Sequence, residues 1–235
     1  YYPSKGEYYM VYSYKDQDGK LRQKMLGGST YDYFYMDWFQ IPQLSKKSYW
    51  SEPYFDLGGG NQLMVTYSRP LFDHGGQFYG LITADVSLAW LNDLVARIKP
   101  FKRAYAILVS RNGYYLAHFE KERILNETIF FFFLDMYDVK KIHTIGEHMM
   151  SGKTGYDKFR NDDTLSYVVY APIPRTGWSI ATIYPAEDVY NKIIEKAWII
   201  IPCVGLIVLF HFLLVIRSIK RNKKKMSIAD QVGTF

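Results

Sequence analysis

One cysteine in 235 residues, Cys203, excludes an intrachain disulfide framework and a zinc site of paired thiolates. Histidine is nearly as scarce, with His74, His118, His143, His148 and His211. His143 and His148 stand five apart, so they do not share one helix face as the two ligands of HExxH do. No metal and no cofactor is therefore expected. No serine occupies a GxSxG context, and no motif pairs a nucleophile with a base. Gly152, Lys153 and Thr154 resemble the end of a phosphate loop, but Glu147 occupies the place of its first glycine, and the segment precedes a strand pattern. Gly58, Gly59 and Gly60 lack a following GK[ST] or GxxG, so they read as a tight loop. The chain is not expected to be an enzyme.

Charge is also missing where it matters most. Residues 197–216, AWIIIPCVGLIVLFHFLLVI, contain no Asp, Glu, Lys or Arg. At about 1.5 Å per residue such a run spans a hydrocarbon core of roughly 30 Å. Arg217, Lys220, Arg221, Lys223, Lys224 and Lys225 follow directly, while only Lys192 and Lys196 are basic in the twenty residues before. The excess of basic groups predicts a cytoplasmic C-terminus in the inner membrane, with residues 1–196 outside. Six of the 29 basic residues and one of the 23 acidic ones lie in the tail, which leaves 23 and 22 in the remainder. The net charge of +6 is thus largely an orientation signal, and nucleic acid is not an expected partner. An exterior N-terminal region must be exported, so an upstream segment, a first transmembrane helix, is expected.

Two similar passages stand out within the exterior region. Residues 62–72 read as a strand, DHGG as a turn and 78–86 as a second strand, followed by a helix pattern from Ser87 to Ile98 that Pro100 ends. Residues 165–171 read as a strand, PIPRTG as a turn and 178–183 as a strand, after which Pro185 opens a helix running toward the membrane. Residues 8–14 turn at DQDG into 21–26, and 105–110 turn at RNG into 114–117. This pattern predicts an α+β fold of two tandem modules joined near residues 98–104. The 22 tyrosines and 15 phenylalanines are mostly expected as half-buried sheet surface, with Phe130 to Phe133 buried between modules or under a loop.

The segments WSEPY, YSRP, GLITADVSL and APIPRTGWS, in this order and spacing, make residues 7–190 resemble double Cache sensor domains of bacterial transmembrane receptors. The resemblance implies PAS-like modules with antiparallel sheets: a membrane-distal module at 1–98, whose N-terminal helix is absent, a membrane-proximal one at 99–190, an exit and transmembrane helix at 191–216, and a basic tail at 217–235. It also implies a homodimer, a small-molecule pocket in the distal module, and a signalling output such as a histidine kinase, chemoreceptor, phosphatase or cyclase. The proximal module is then mainly a transmitter. A membrane-anchored binding or scaffolding protein without output is the alternative.

Amino-acid-binding members of the family carry a motif that falls here on Tyr31, Met36, Trp38, Phe39 and Asp85. With Tyr54 and Arg69 these make the candidate ligand set of Tyr31, Trp38, Phe39, Tyr54, Arg69 and Asp85. Asp85 suits an ammonium group and Trp38 a cation over its face. Met36 stands where the motif has arginine and cannot pair with a carboxylate, and Phe39 lacks a hydroxyl. Either the ligand is an amine or neutral metabolite without a carboxylate, or Arg69 replaces the missing arginine. The competing reading makes Tyr31 and Trp38 core and Asp85 a cap on the following helix.

Overall fold

The computed structural model describes residues 10–16, 18–26, 33–131, 139–161 and 164–232, apart from the side chains of 161 and 222–232. It divides into two units, Tyr1–Ala186 and Glu187–Phe235.

In the first unit, β-branched and aromatic runs punctuated by turn residues give two mixed layers. The later one is a five-stranded antiparallel sheet of β7 (Tyr105–Val109), β8 (Tyr115–Ala117), β9 (Gly155–Asn161), β10 (Thr164–Ile173) and β11 (Trp178–Pro185). Its order β8-β7-β11-β10-β9 is the second-first-fifth-fourth-third arrangement of a PAS-like module. Helix α3 (Val139–Met150) places Ile142, Ile145 and Met149 on one face, three and four residues apart, and buries them against Ile107, Val168, Ala181 and Ile183.

The earlier layer is built on β5 (Leu63–Phe72), flanked by the short β3 (Tyr49–Trp50) and β4 (Tyr54–Phe55) on one side and β6 (Phe78–Ser87) on the other. Met64, Val65 and Thr66 are all buried, so β5 is covered on both faces in its first half. The hairpin β1 (Met10–Lys15) and β2 (Leu21–Leu26) forms a separate two-stranded sheet. Lys24 donates from Nζ to the carbonyls of Gly58 (3.1 Å) and Gly59 (2.6 Å), tying the hairpin to the loop before β5. Helix α1 (Asp37–Ser45) lies between hairpin and sheet in sequence.

Helix α2 (Leu88–Ala96) begins after Ser87, as expected from the sequence. Its buried Leu88, Leu91 and Val95 join Val65 of β5 and Leu108, Leu116, Ala117 and Trp178 of the later sheet in one cluster. The two layers therefore share a core, although the connecting chain through residues 98–103 is itself mostly exposed. Phe130 is half-buried against the later core, whereas Phe131 is 57% exposed, contrary to the expected burial; 132 and 133 lie outside the described residues.

The second unit belongs to α4, a helix from Ala186 to Val232 that continues through Pro202. Helix starts one residue after Pro185, which instead ends β11 opposite Ser166. Its segment Ala186–Arg221 is long and apolar enough to cross a membrane and contains the span expected at 197–216. Within its own unit the charge-free part, residues 197–216, exposes predominantly apolar side chains all round the helix, the pattern that suits a lipid environment.

Candidate ligand-binding site

Tyr33, Phe34, Trp38 and Phe39 come from a single aromatic stretch that folds onto itself at the start of α1. Trp38 is 4% exposed; Tyr33 stacks on it at 5.8 Å with 24° between planes, and Phe39 meets it edge-on at 6.2 Å. Phe39 also packs against Phe34 and Phe78, so it props Trp38 from behind and does not face the pocket. The Trp38 Nε1–H is buried and has no hydrogen-bond partner among the described residues. Asp37, in the first turn of α1, favours the positive helix end and accepts from Glu52 N at 3.0 Å and from the Tyr49 hydroxyl at 3.4 Å.

On the sheet, register decides which side chains converge. Thr66 lies opposite Asp85 and Ser68 opposite Thr83, so these four share one face. Arg69, three positions from Thr66, lies opposite Ile82 on the other face and is exposed. The Thr66 Oγ1 donates to Asp85 Oδ1 at 2.8 Å, and the Tyr54 hydroxyl lies 2.7 Å from the same threonine oxygen. A threonine hydroxyl has one proton, so with that proton on Asp85 it is Tyr54 that donates to Thr66. The chain Tyr54 to Thr66 to Asp85 points its donors at one carboxylate.

A second carboxylate, Asp56, is 4% exposed and accepts a short hydrogen bond from Gly60 N. A Cβ at Gly59 would collide with Asp56 Oδ2, which is why the loop carries glycine at this point. Burial raises the Asp85 carboxyl above the usual carboxylate range, the Thr66 hydrogen bond pulls it back, and the charge of Asp56 adds to the rise. The Tyr12 hydroxyl is raised by burial and by both carboxylates.

These groups enclose a small cavity. Met10 and Tyr12 of β1 close one side, Trp38 and Tyr54 form aromatic walls, and Asp56, Thr66, Thr83 and Asp85 make the polar floor. Its volume is about 10 Å³, room for one water-sized body. No lysine, arginine or histidine lines it among the described residues. Of the sequence-derived set, Trp38, Tyr54 and Asp85 come together here, Phe39 stands behind, Arg69 lies across the sheet, and Tyr31 lies outside the described residues. Met36 precedes α1 and is 37% exposed. Asp85 makes its bond to Thr66, and the residue before α2 is Ser87, which makes no side-chain cap. Sequence reasoning missed Tyr12, Asp56, Thr66 and Thr83. Thr66 could have been found by pairing the two strands across DHGG, while Asp56 and Tyr12 reach the site through loop and hairpin packing.

From α1 a polar chain leads to the later sheet. Glu52, whose N–H binds Asp37, lies 3.7 Å from Arg111 Nε. Arg111 sits over the Tyr49 ring at 4.4 Å and donates from Nη2 to the carbonyls of Trp50 (3.1 Å) and Thr176 (3.3 Å). Trp50 packs on Trp178 at 4.7 Å between ring centres. Burial raises the Glu52 carboxyl; bonding to Ser110 and the charge of Arg111 oppose the rise. Burial, then Asp37, pushes the Tyr49 hydroxyl up to about 12.

Residues 1–93 match the family model for the first PDC sensor domain of methyl-accepting chemotaxis protein-like receptors. No curated protein matches the chain. Among solved structures, it is similar to the extracellular domain of mmHK1S-Z3, described as a histidine kinase, at 23% identity and a TM-score of 0.62, covering 76% of this chain and 62% of that one. The ligand-binding domain of the Pseudomonas aeruginosa PAO1 amino-acid chemoreceptor PctB, in complex with L-Arg, is 17% identical with a TM-score of 0.56, covering 80% and 69%. That of the Pseudomonas fluorescens chemoreceptor CtaA, in complex with L-isoleucine, is 18% identical with a TM-score of 0.57, covering 78% and 72%. The chain thus spans less than two thirds of the first of these structures. The chain shares the fold of these extracellular and ligand-binding domains over about three quarters of its length.

Proposed function

We propose that this chain is the extracytoplasmic sensing portion and following membrane span of a signalling receptor, and that the pocket between β1, α1 and β6 binds a small amine without a carboxylate. The observation that carries the ligand class is the lining: two carboxylates, three aromatic rings and no cationic side chain among the described residues. Asp85 supplies charge-assisted acceptance of an ammonium group, and Trp38 and the tyrosines offer ring faces to a cation. PctB and CtaA hold α-amino acids in their structures. In the present pocket an α-carboxylate would face Asp85 and Asp56 with no cationic side chain in the lining among the described residues, an arrangement that disfavours it by an amount on the order of a few kcal/mol. The cavity is small, so the ligand enters by displacing β1 or Trp38, and that displacement is the input signal. A ligand shifts the receptor only by preferring the opened arrangement.

From Trp38 the change passes through Asp37, Glu52 and Arg111 to the turn before β11, which continues in sequence into α4. Basic residues after 216 support a cytoplasmic end. A cysteine placed at Ser227 should react with impermeant reagents only after the cells are opened; labelling of intact cells contradicts that orientation. For the function itself, the test is a thermal-shift screen of the full chain in nanodiscs against metabolites. Amines are expected to raise the melting temperature of the native protein and not of Asp85→Ala. Equal shifts in both proteins contradict the assignment.

A further inference from the structure

A second cavity, larger than the one just described, lies among the described residues. Between α3 and the five-stranded sheet lies a void of about 40 Å³, four times the volume of the pocket around Asp85, with room for about three water-sized bodies. Ile142, Ile145 and Met149 wall it from the helix, and Ile107 and Ala181 from the sheet. The surroundings are tightly packed: a Cβ added at Gly146 on α3 would meet Phe130 at 2.9 Å and Ile129 at 3.2 Å. The void is therefore a local feature of a dense core, where methyl groups left without partners forfeit contact energy. Its apolar walls offer water few of the two to four polar partners that a buried water needs.

Polar groups are confined to Tyr105, Tyr115 and His118. The His118 ring accepts at Nδ1 from Glu120 N at 3.0 Å, which puts the proton of the neutral ring on Nε2. Burial, helped by the charge of Arg123, holds this histidine neutral, with its pKa lowered to about 4. No aspartate, glutamate, lysine or arginine lines the cavity among the described residues. A space with apolar walls, a few hydroxyl and imidazole groups, and no formal charge selects a neutral guest.

We infer that the later module holds a second ligand site in its core, for a neutral, compact organic molecule with one hydrogen-bonding group, of the class of short-chain ketones and alcohols. The guest would lie against β11, the strand that continues into α4, and so could bias the same output independently of the first pocket. The inference does not rest on the amine reading.

The test uses the full chain in nanodiscs, with methyl-labelled isoleucine and methionine followed by NMR, and two probes: xenon under pressure and butan-2-one at millimolar concentration. Both are expected to shift the methyl signals of Ile142, Ile145 and Met149, and butan-2-one is expected to raise the melting temperature. Ala181→Val, which fills the void from the sheet side, should abolish both responses while leaving the free protein at least as heat-stable. Asp85→Asn should leave them unchanged. Absence of methyl shifts with both probes in the native protein overturns the site, whatever becomes of the variant. Shifts that persist in a folded Ala181→Val protein overturn it equally.

Discussion

The hydroxyl of Thr66 donates to Asp85 across the β5–β6 pair at 2.8 Å, and this one bond fixes the carboxylate at the floor of the pocket. Its pH consequence has a definite sign. The folded-state pKa of Asp85 is raised, mainly by burial, so folding favours its protonated form. Asp85 therefore contributes stability at low pH that is lost as pH rises from its ordinary value through the raised one. A cationic ligand needs the ionised form, so amine affinity should fall on acidification through the same window. Thr66→Val should weaken amine binding by roughly 10-fold, the loss of about 1.5 kcal/mol for one hydrogen bond to a charged group. Calorimetry at several pH values reads both effects.

Arg111 bridges carbonyls of Trp50 and Thr176. Arg111→Met should cost about 1–2 kcal/mol by urea unfolding, since two carbonyls and Glu52 lose a partner at a partly exposed site. Glu52→Gln should cost less when Arg111 is already gone. A double-mutant cycle is expected to show coupling on the order of 0.5–1 kcal/mol; strict additivity contradicts the proposed relay.

Trp178 is 5% exposed and pairs with Trp50. Trp178→Ala should destabilise by about 3–5 kcal/mol. Trp50→Ala, at a half-buried position, should cost less, and the pair should show non-additivity from the lost ring contact. Full stability in Trp178→Ala, measured by urea unfolding, contradicts its place in the shared core.

His118 is 3% exposed and has a pKa lowered from 6.5 to about 4. Its folded-state value lies below the unfolded one, so the unfolded chain takes up the proton first as pH falls. Stability should drop between pH 6.5 and 4 by up to about 3 kcal/mol. Subtracting the melting-temperature profile of His118→Gln from that of the native protein should isolate this slope.

The long strands of the two layers, with α2 and the start of α4, were legible because their signals are local, whereas α1 and the short β3 and β4 were not assigned. Alternation in residues 62–86, the turn residues DHGG and PRTG, and the apolar run before the basic tail each act within a few residues. The shared core was not legible, since α2 buries Leu88, Leu91 and Val95 against strands that lie beyond it in the chain. In the pocket, Trp38 and Asp85 were candidates through resemblance to a family motif, and Tyr54 was a candidate beside them. Asp56 was hidden in a glycine-rich loop whose role emerges only when Gly59 is seen against the carboxylate. Arg69 looked interchangeable with a missing arginine because one-letter spacing does not show which sheet face a residue takes. Register settles that: Thr66 and Asp85 pair on one face, Arg69 and Ile82 on the other.

The most direct measurement is a calorimetric comparison of primary amines with the amino acids that yield them by loss of CO2, such as ethylamine with L-alanine and isobutylamine with L-valine. The account predicts that within this panel the amine binds on the order of 100-fold more tightly than its carboxylated counterpart, and that Asp85→Asn removes the difference. Tighter binding of the amino acids, or amine binding untouched by Asp85→Asn, contradicts it.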